Sequence, residues 1–385
     1  MPAICFYFKA HCPYSIKKTS FFEFGQYPDL IDDEQNSRNI SNLLKHNLRP
    51  SLEVLEDLIA SSGGSFRFSM NVSGTLLDLV QYYLPSDYQS LSLFLKAKEI
   101  EPVISPYFSS AVNLLSFNEF LVQVRLHREK IYTLTGIKSG LFSNPDLTSN
   151  AGMADMIHKQ QFRGMIMRAP AVKNGKISSG YIHRDQKFKN LKLILVNEKF
   201  LEIFLKAPFR KKNPDRQFLK KIVHEISRSR TLLILIPIDV HIADIQPEST
   251  ARKLNFIKYF VEEAMDSGNI EFRKPSEVLT TNDPSVNLEL SDKKDQIGSS
   301  YKNDTVLRKE AIRFLCSLED KIKKAGDREL LYLWRIMQST EHLDKMLLPE
   351  NYDFFTGFPA YSMHEVYLEY MNALSCLDIY TRKNS

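Results

Sequence analysis

The chain has 385 residues, of which 43% are hydrophobic and 11% aromatic, and its formal net charge is +5. This composition excludes an intrinsically disordered protein, and the length suits one large barrel with an appendage or two domains. No stretch approaches the roughly 20 apolar residues that span a bilayer, and the net charge is too small to indicate a class of partner by itself.

The first predicted strand covers residues 4–10, and His11, Cys12, Pro13 and Tyr14 follow it where the first loop from strand to helix should lie. No basic leader precedes this strand, so we predict no signal peptide and expect a cytoplasmic protein. The four cysteines show no metal-ligand spacing, which suits a reducing compartment. We therefore expect no metal, and no cofactor either.

Strand and helix patterns then alternate along the first half of the chain. Apolar residues at helical spacing predict helices at 51–59, 91–97 and 117–134, and short extended patterns predict strands at 66–72, 102–106 and 140–144. This alternation is typical of a parallel α/β architecture.

A basic segment at 206–230 precedes the central strand. It could contact an acidic protein or phosphate groups, or it could be a solvated helix face, and nucleic acid is not expected because no base-reading motif accompanies it. Its basic residues are Lys206, Arg210, Lys211, Lys212, Arg216, Lys220, Lys221, Arg228 and Arg230.

An apolar run at 232–236 has no helical spacing and predicts a parallel strand buried on both faces. Pro237, Asp239 and His241 follow it at alternate positions and should share one face. The carboxyl ends of such strands usually carry the chemistry of α/β enzymes. His241 with Asp244 is too small a set to predict a metal site.

The segment 276–305 is rich in Asn, Asp, Ser and Lys and lacks apolar periodicity, so we predict a connecting loop there. It separates an α/β domain at 1–275 from a helical region at 306–385. Three helices are predicted in that region, at 306–324, 327–347 and 362–380.

Short motifs recur over nearly the whole chain. They are 4–8 with His11-Cys12-Pro13-Tyr14, 66–68 with Ser73-Gly74-Thr75, 124–128, 318–320, Trp334-Arg335 and Gln338-Ser339-Thr340-Glu341-His342. Together they resemble glycoside hydrolase family 57, the α-amylase and glucanotransferase family, whose first motif is usually His-Gln-Pro. The resemblance implies an incomplete seven-stranded parallel β/α barrel followed by a helical region that closes over the site, with an α-glucan or maltooligosaccharide as partner.

The catalytic motifs of that family are altered here. The family uses a Glu nucleophile and an Asp acid/base, which a retaining mechanism holds about 5–5.5 Å apart. The nucleophile motif resembles 143–146, where Asp146 keeps a carboxylate on a shorter side chain. The acid/base motif resembles 236–240, where Pro237 occupies the position of the proton donor. A third motif resembles 105–109, which keeps Tyr107 but lacks the family's Glu and His.

The resemblance therefore predicts an α-amylase-like homologue whose hydrolytic machinery is degraded. One alternative is an active retaining hydrolase or glucanotransferase in which Asp239 replaces the missing acid. In that case Asp146 and Asp239 would be catalytic, whereas otherwise Asp146 is a turn or cap residue and Asp239 caps the next helix or pairs with a nearby Arg. A second alternative is an interaction protein that uses the basic segment. Substrate contacts are predicted at His11, Tyr107, Trp334 and His342, although Trp334 could instead lie in the helical core.

Overall fold

The structure is a computed structural model that describes most of the chain. The described residues are 1–110, 116–169, 182–185, 187–188, 190–206, 215–229, 233–240, 247–281, 286–288, 290, 305–347 and 362–383.

The strands are short and largely buried, and most of them are parallel. They are β1 Ala3–Ala10, β2 Phe68–Val72, β3 Ile100–Pro102, β4 Leu141–Ser143, β5 Gly164–Met167, β6 Ile182–Asp185, β7 Lys192–Leu195, β8 Leu233–Val240, β9 Glu271–Phe272 and β10 Val286–Leu288.

Helices follow most of the strands and make up the C-terminal region. They are α1 Asp33–Leu43, α2 Arg49–Ser61, α3 Gly74–Tyr83, α4 Pro85–Leu95, α5 Phe117–Thr135, α6 Ala151–Lys159, α7 Glu198–Lys206, α8 Arg216–Ser227, α9 Pro247–Asp266, α10 Pro275–Thr281, α11 Val306–Ser317, α12 Glu319–Ala325, α13 Arg328–Ile336, α14 Thr340–Asp344 and α15 Met363–Lys383. Within the described ranges, no helix combines the length and apolarity needed to cross a membrane.

Two rows of parallel strands close into a barrel. One row runs β3-β2-β1-β8 and the other contains β7-β5-β4, and each pair within these rows is parallel. Single parallel bridges, Ile104 with Phe142 and Val196 with Leu235, join the rows at their two ends. The expected seven-stranded parallel β/α barrel is thereby confirmed, while β6 and β10 extend the sheet beyond β7.

β8 is buried along its apolar part, as expected from its unbroken apolar run, with Ile234, Leu235 and Ile236 fully inaccessible. The proline in this strand is tolerated for a geometric reason. The Leu235 carbonyl accepts from the Asn197 N–H on the β7 side, and Pro237 directs its backbone to the same side. Since β8 meets β7 only at the bridge to Leu235, Pro237 removes no donor from the ladder with β1.

The C-terminal region has its own core, which includes Trp334, and five described helices where three were expected. The prediction of one helix at 327–347 is wrong because α13 ends at Ile336 and the following residues bond to the barrel. The Thr340 N–H donates to the Ser109 carbonyl, and Ser110 bridges to Ser339. Contacts with the loop after β3 therefore outweigh continuation of the helix.

The predicted connecting loop at 276–305 begins with ordered structure. α10 occupies its first residues and β10 pairs in parallel with β6. Val278, Leu279 and Leu290 are buried in the barrel core, which the sequence's polar composition concealed. Residues 291–304 lie outside the described part, so the boundary between the two regions stays a prediction.

Candidate functional site

The mouth of the barrel is organised by one lysine near the end of β1. Lys9 Nζ lies 2.8 Å from Asp239 Oδ1 and donates to the Pro145 carbonyl at 3.0 Å. The carboxyl end of β8 and the turn that carries Asp146 therefore meet at the same ammonium group. Lys9 was not predicted, although a charged residue inside an otherwise apolar strand is a sequence signal for such a site.

Asp146, at the predicted nucleophile position, is tied into its own turn. Its Oδ1 accepts from the Thr148 N–H at 3.0 Å, from Thr148 Oγ1 at 2.7 Å and from Asn144 Nδ2 at 2.5 Å. Side chains of this kind stabilise turns by bonding the backbone two residues ahead. The geometry matches the turn interpretation, and a catalytic role for Asp146 stays a prediction.

Asp239 lies one residue before the end of β8, and 42% of its side chain is accessible. Only 16% of the Lys9 side chain is accessible. In the register of β1 and β8, Lys9 pairs with Asp239 and Tyr7 pairs with Pro237. Pro237 is thus buried beside Tyr7, one step deeper in the barrel than Asp239. An ammonium in contact with the carboxylate stabilises its charged form, while a general acid has to carry a proton.

His11 links the barrel to the helical region. Its Nδ1 lies 2.7 Å from Ser73 Oγ, and its Nε2 lies 3.0 Å from Glu341 Oε2. Glu341 also accepts from Ser339 Oγ at 2.5 Å. Burial alone would raise the pKa of Glu341, but His11 and these hydrogen bonds together lower it. Glu341 was not singled out from the sequence, although it lies beside His342 in the last motif.

Two further residues of α14 lie next to this pair. His342 is 7% exposed and burial lowers its pKa to about 3, so the imidazole is neutral. Burial raises the pKa of Asp344 to about 7, against the opposing charge of Arg308, and the neighbouring Glu341 and Asp146 add to the rise. Yet 44% of the Asp344 side chain is accessible. Asp344 was missed because it stands outside every quoted motif.

The two aromatic residues predicted as substrate contacts are engaged by other groups of the protein. Tyr107 is 9% exposed, and its hydroxyl donates to both oxygens of Asp78 at 2.8 Å. Its ring packs against Gly74, where a Cβ would come within 2.4 Å of it. Trp334 is fully buried and donates from Nε1 to the Leu315 carbonyl at 3.0 Å, which leaves its ring no face for a ligand.

The basic segment is only partly described. Arg210, Lys211, Lys212 and Arg230 lie outside the described residues, as do His241 and Asp244. α8 buries its apolar side and exposes Lys220 and Lys221, which is the arrangement of a solvated helix face. Across the described ranges, no group of three or more His, Cys, Asp and Glu could hold a metal ion.

Comparison with known proteins agrees with the fold. A family model described as Glycosyl hydrolase family 57 matches residues 5–291. No curated protein matches the sequence significantly. Similar solved structures include a GH57-type branching enzyme from Pyrococcus horikoshii (TM-score 0.65, 11% identity, covering 98% of this chain and 96% of that one) and the α-amylase AmyC from Thermotoga maritima (0.60, 11%, 100% and 94%).

A third similar structure is the 4-α-glucanotransferase from Thermococcus litoralis, with a TM-score of 0.64 and 12% identity. The match covers 89% of this chain but only 56% of the glucanotransferase, so this chain spans little more than half of that protein. At such low identity these similarities concern the fold alone.

Proposed function

The chain belongs to glycosyl hydrolase family 57, and on that premise we propose that its barrel mouth binds an α-glucan while hydrolysis is lost or strongly impaired. The ligand class is a maltooligosaccharide or a glycogen branch, and the setting is α-glucan metabolism in the cytoplasm. The four cysteines are free thiols, which is consistent with that compartment.

The observation that carries this proposal is the ion pair between Lys9 and Asp239. The family mechanism needs one carboxylate to attack and a second, protonated carboxyl to donate to the departing oxygen. Here Asp239 faces an ammonium, Pro237 has no proton to donate, and Oδ1 of Asp146 already accepts three hydrogen bonds. Binding does not need that machinery, because His11 and Glu341 remain as polar groups at the mouth.

A second candidate, a working retaining enzyme, is favoured by one observation. Asp344 has a pKa raised to about 7 and an accessible carboxyl, and its charge is coupled to that of Asp146. A carboxyl held protonated near neutral pH is what a general acid requires. In this candidate Asp344 donates the proton and Asp146 attacks, so the acid comes from the helical region instead of Asp239.

The test combines binding with turnover. Purified protein is titrated with maltoheptaose by calorimetry and incubated with amylose, and new reducing ends are counted. We expect saturable binding without sugar release, and His11→Ala should weaken binding about tenfold because it removes a buried polar contact. Lys220→Ala, on the exposed side of α8, is the matched control and should leave binding unchanged.

The outcomes separate the candidates. Sugar release that disappears in both Asp146→Asn and Asp344→Asn would replace the binding proposal with the working enzyme. Release that disappears in Asp239→Asn instead would support the displaced acid on β8. Absence of maltoheptaose binding in the wild type would contradict both the binding proposal and the working enzyme. The remaining prediction would be an interaction with an acidic protein through Arg210, Lys211 and Lys212.

A further inference from the structure

A second opening lies where α3 meets α13 and the loop after β1. It is a cavity of about 540 Å³, within the size range of small-ligand pockets, and its lining includes none of the mouth residues Lys9, His11, Asp146, Asp239 and Glu341. Its lining is rich in tyrosine and carries two carboxylates. The lining residues are Tyr14, Ile31, Asp33, Asp78, Leu79, Gln81, Tyr82, Tyr83 and Tyr332.

Two phenol hydrogens of this cavity are donated to its carboxylates, and a third is donated to a neighbouring phenol. Tyr332 lies 3.3 Å from Asp78 Oδ2 and must donate, because an ionised carboxylate has no hydrogen. Tyr14, 2.9 Å from the Tyr332 hydroxyl, therefore donates to it. Tyr83 donates to Asp33 Oδ1 at 2.7 Å. Each of these phenols keeps its proton, since burial raises the pKa of all three above the usual value.

The cavity consequently offers mainly acceptors to a ligand. The phenol oxygens retain lone pairs once their hydrogens are engaged, and Asp33 has a second oxygen. Asp78 is already satisfied by Tyr107, Tyr332 and Lys130, whose ammonium lies 3.1 Å from Oδ1 and offsets the negative charge. A ligand with many hydroxyl donors and no charge matches this lining better than an anion does.

Aromatic faces complete the arrangement. Tyr82 is 76% exposed, and its ring stands edge-on to Tyr83 with centroids 4.7 Å apart. Sugar rings present apolar C–H faces together with hydroxyl edges, so an exposed aromatic ring beside acceptors can bind both parts of a pyranose. An isolated exposed tyrosine would need no explanation, but this one borders a cavity of acceptors.

We propose that this tyrosine cleft is a second carbohydrate-binding site, separate from the barrel mouth, that holds an uncharged α-glucan segment. The identity of the sugar rests on the proposed function, whereas the presence of the site rests on the cleft itself. Tyr82 supplies the stacking face, and Tyr14, Tyr83 and Asp33 supply acceptors for hydroxyl groups. One glucan chain could then be held at two points on the protein, which raises avidity.

The experiment measures maltoheptaose stoichiometry and affinity by calorimetry, with mobility in glycogen-containing native gels as a second readout. Wild type should bind at two sites, Tyr82→Ala should lose one of them or weaken it about tenfold, and Tyr83→Phe should weaken the same site. Tyr132→Ala is the matched control, because Tyr132 is 55% exposed on α5 and lines neither opening. Circular dichroism confirms that each variant is folded.

The absence of glucan binding in the cleft can be distinguished from the absence of glucan binding at the mouth. In Glu341→Gln the cleft should keep its affinity, so binding that remains at the cleft in this variant supports the inference whether or not the wild type also binds at the mouth. The inference is overturned if Tyr82→Ala and Tyr132→Ala bind maltoheptaose alike. It is also overturned if tetramethylammonium, the probe for an organic cation, binds the cleft more tightly than maltoheptaose does.

Discussion

The two openings of this protein use their polar groups in opposite ways. At the mouth, polar groups engage each other directly, since Lys9 pairs with Asp239 and His11 Nε2 lies against Glu341. In the tyrosine cleft, phenol hydrogens are donated to Asp33, to Asp78 and to a neighbouring phenol, and lone pairs of the phenol oxygens remain for a ligand. Groups that satisfy each other have less to contribute to a reaction, whereas unsatisfied acceptors at a surface are ready to bind.

Both openings lie at the seam where the barrel contacts the helical region, through His11 with Glu341 at the mouth and Tyr14 with Tyr332 in the cleft. Glu119 on α5 is fully buried, and its carboxylate lies 2.6 Å from Arg335 Nε and 3.3 Å from Lys323 Nζ in the helical region. Breaking this contact tests whether the two openings share one support.

The largest expected effect is therefore that of Glu119→Ala. Removing one member of a buried ion pair leaves Arg335 uncompensated and should cost about 3 kcal/mol of unfolding free energy. Urea titration measures the loss. Glu34→Ala is the control, since Glu34 is 80% exposed in a surface pair with Arg38 and should cost less than about 0.5 kcal/mol. Equal effects in the two variants would mean that the seam does not depend on this contact.

A smaller effect, on maltoheptaose binding in Gly74→Ala, should distinguish the cleft from the mouth. In Gly74→Ala the new Cβ would overlap the Tyr107 ring, which supports Asp78 from behind the cleft. Overpacking of this kind costs about 1–3 kcal/mol. We expect maltoheptaose binding to weaken more in the cleft than at the mouth, where Ser73 beside Gly74 also bonds His11. Gly152→Ala is the matched control, because its Cβ would meet nothing closer than 3.4 Å. Equal weakening at both openings would contradict their independence.

The barrel could be read from the sequence because its signals are local. The strand at 4–10 and the apolar run of β8 are recognisable without knowledge of their neighbours, and family motifs gave the order of elements. The helix break after Ile336 could not be read in this way, since it arises from bonds between Thr340 and Ser109, 231 residues apart in sequence.

The site was less predictable than the fold for the same reason. Asp239 and Asp146 could be identified as candidates, but the lysine that engages Asp239 lies in a different strand. Asp344 owes its raised pKa to burial by distant parts of the chain, and no short pattern around it indicates that. The tyrosine cleft likewise combines residues from four separate segments, so only the folded arrangement reveals it.

The smallest expected effect concerns the mouth alone and depends on pH. The folded-state pKa of Asp344 is about 7, while an unfolded aspartate titrates near about 3.9, so folding favours the protonated form. Ionisation of Asp344 therefore destabilises the fold as pH rises from about 4 to 7, and no such penalty exists below that window. Asp344→Asn should remove the penalty. Because 44% of the side chain is accessible, solvent screening limits the gain at pH 8 to about 1 kcal/mol.

The measurement is urea unfolding of Asp344→Asn and wild type at pH 8 and at pH 4. The variant should be more stable at pH 8 and should show little gain at pH 4, where Asp344 is protonated in the folded wild type. Asp57→Asn is the control, since Asp57 is 69% exposed near Lys258 and should give no pH-dependent gain. A stability change that is equal at both pH values would mean that Asp344 is ionised like a surface carboxylate, and Asp344 could then not serve as the proton donor of a working enzyme.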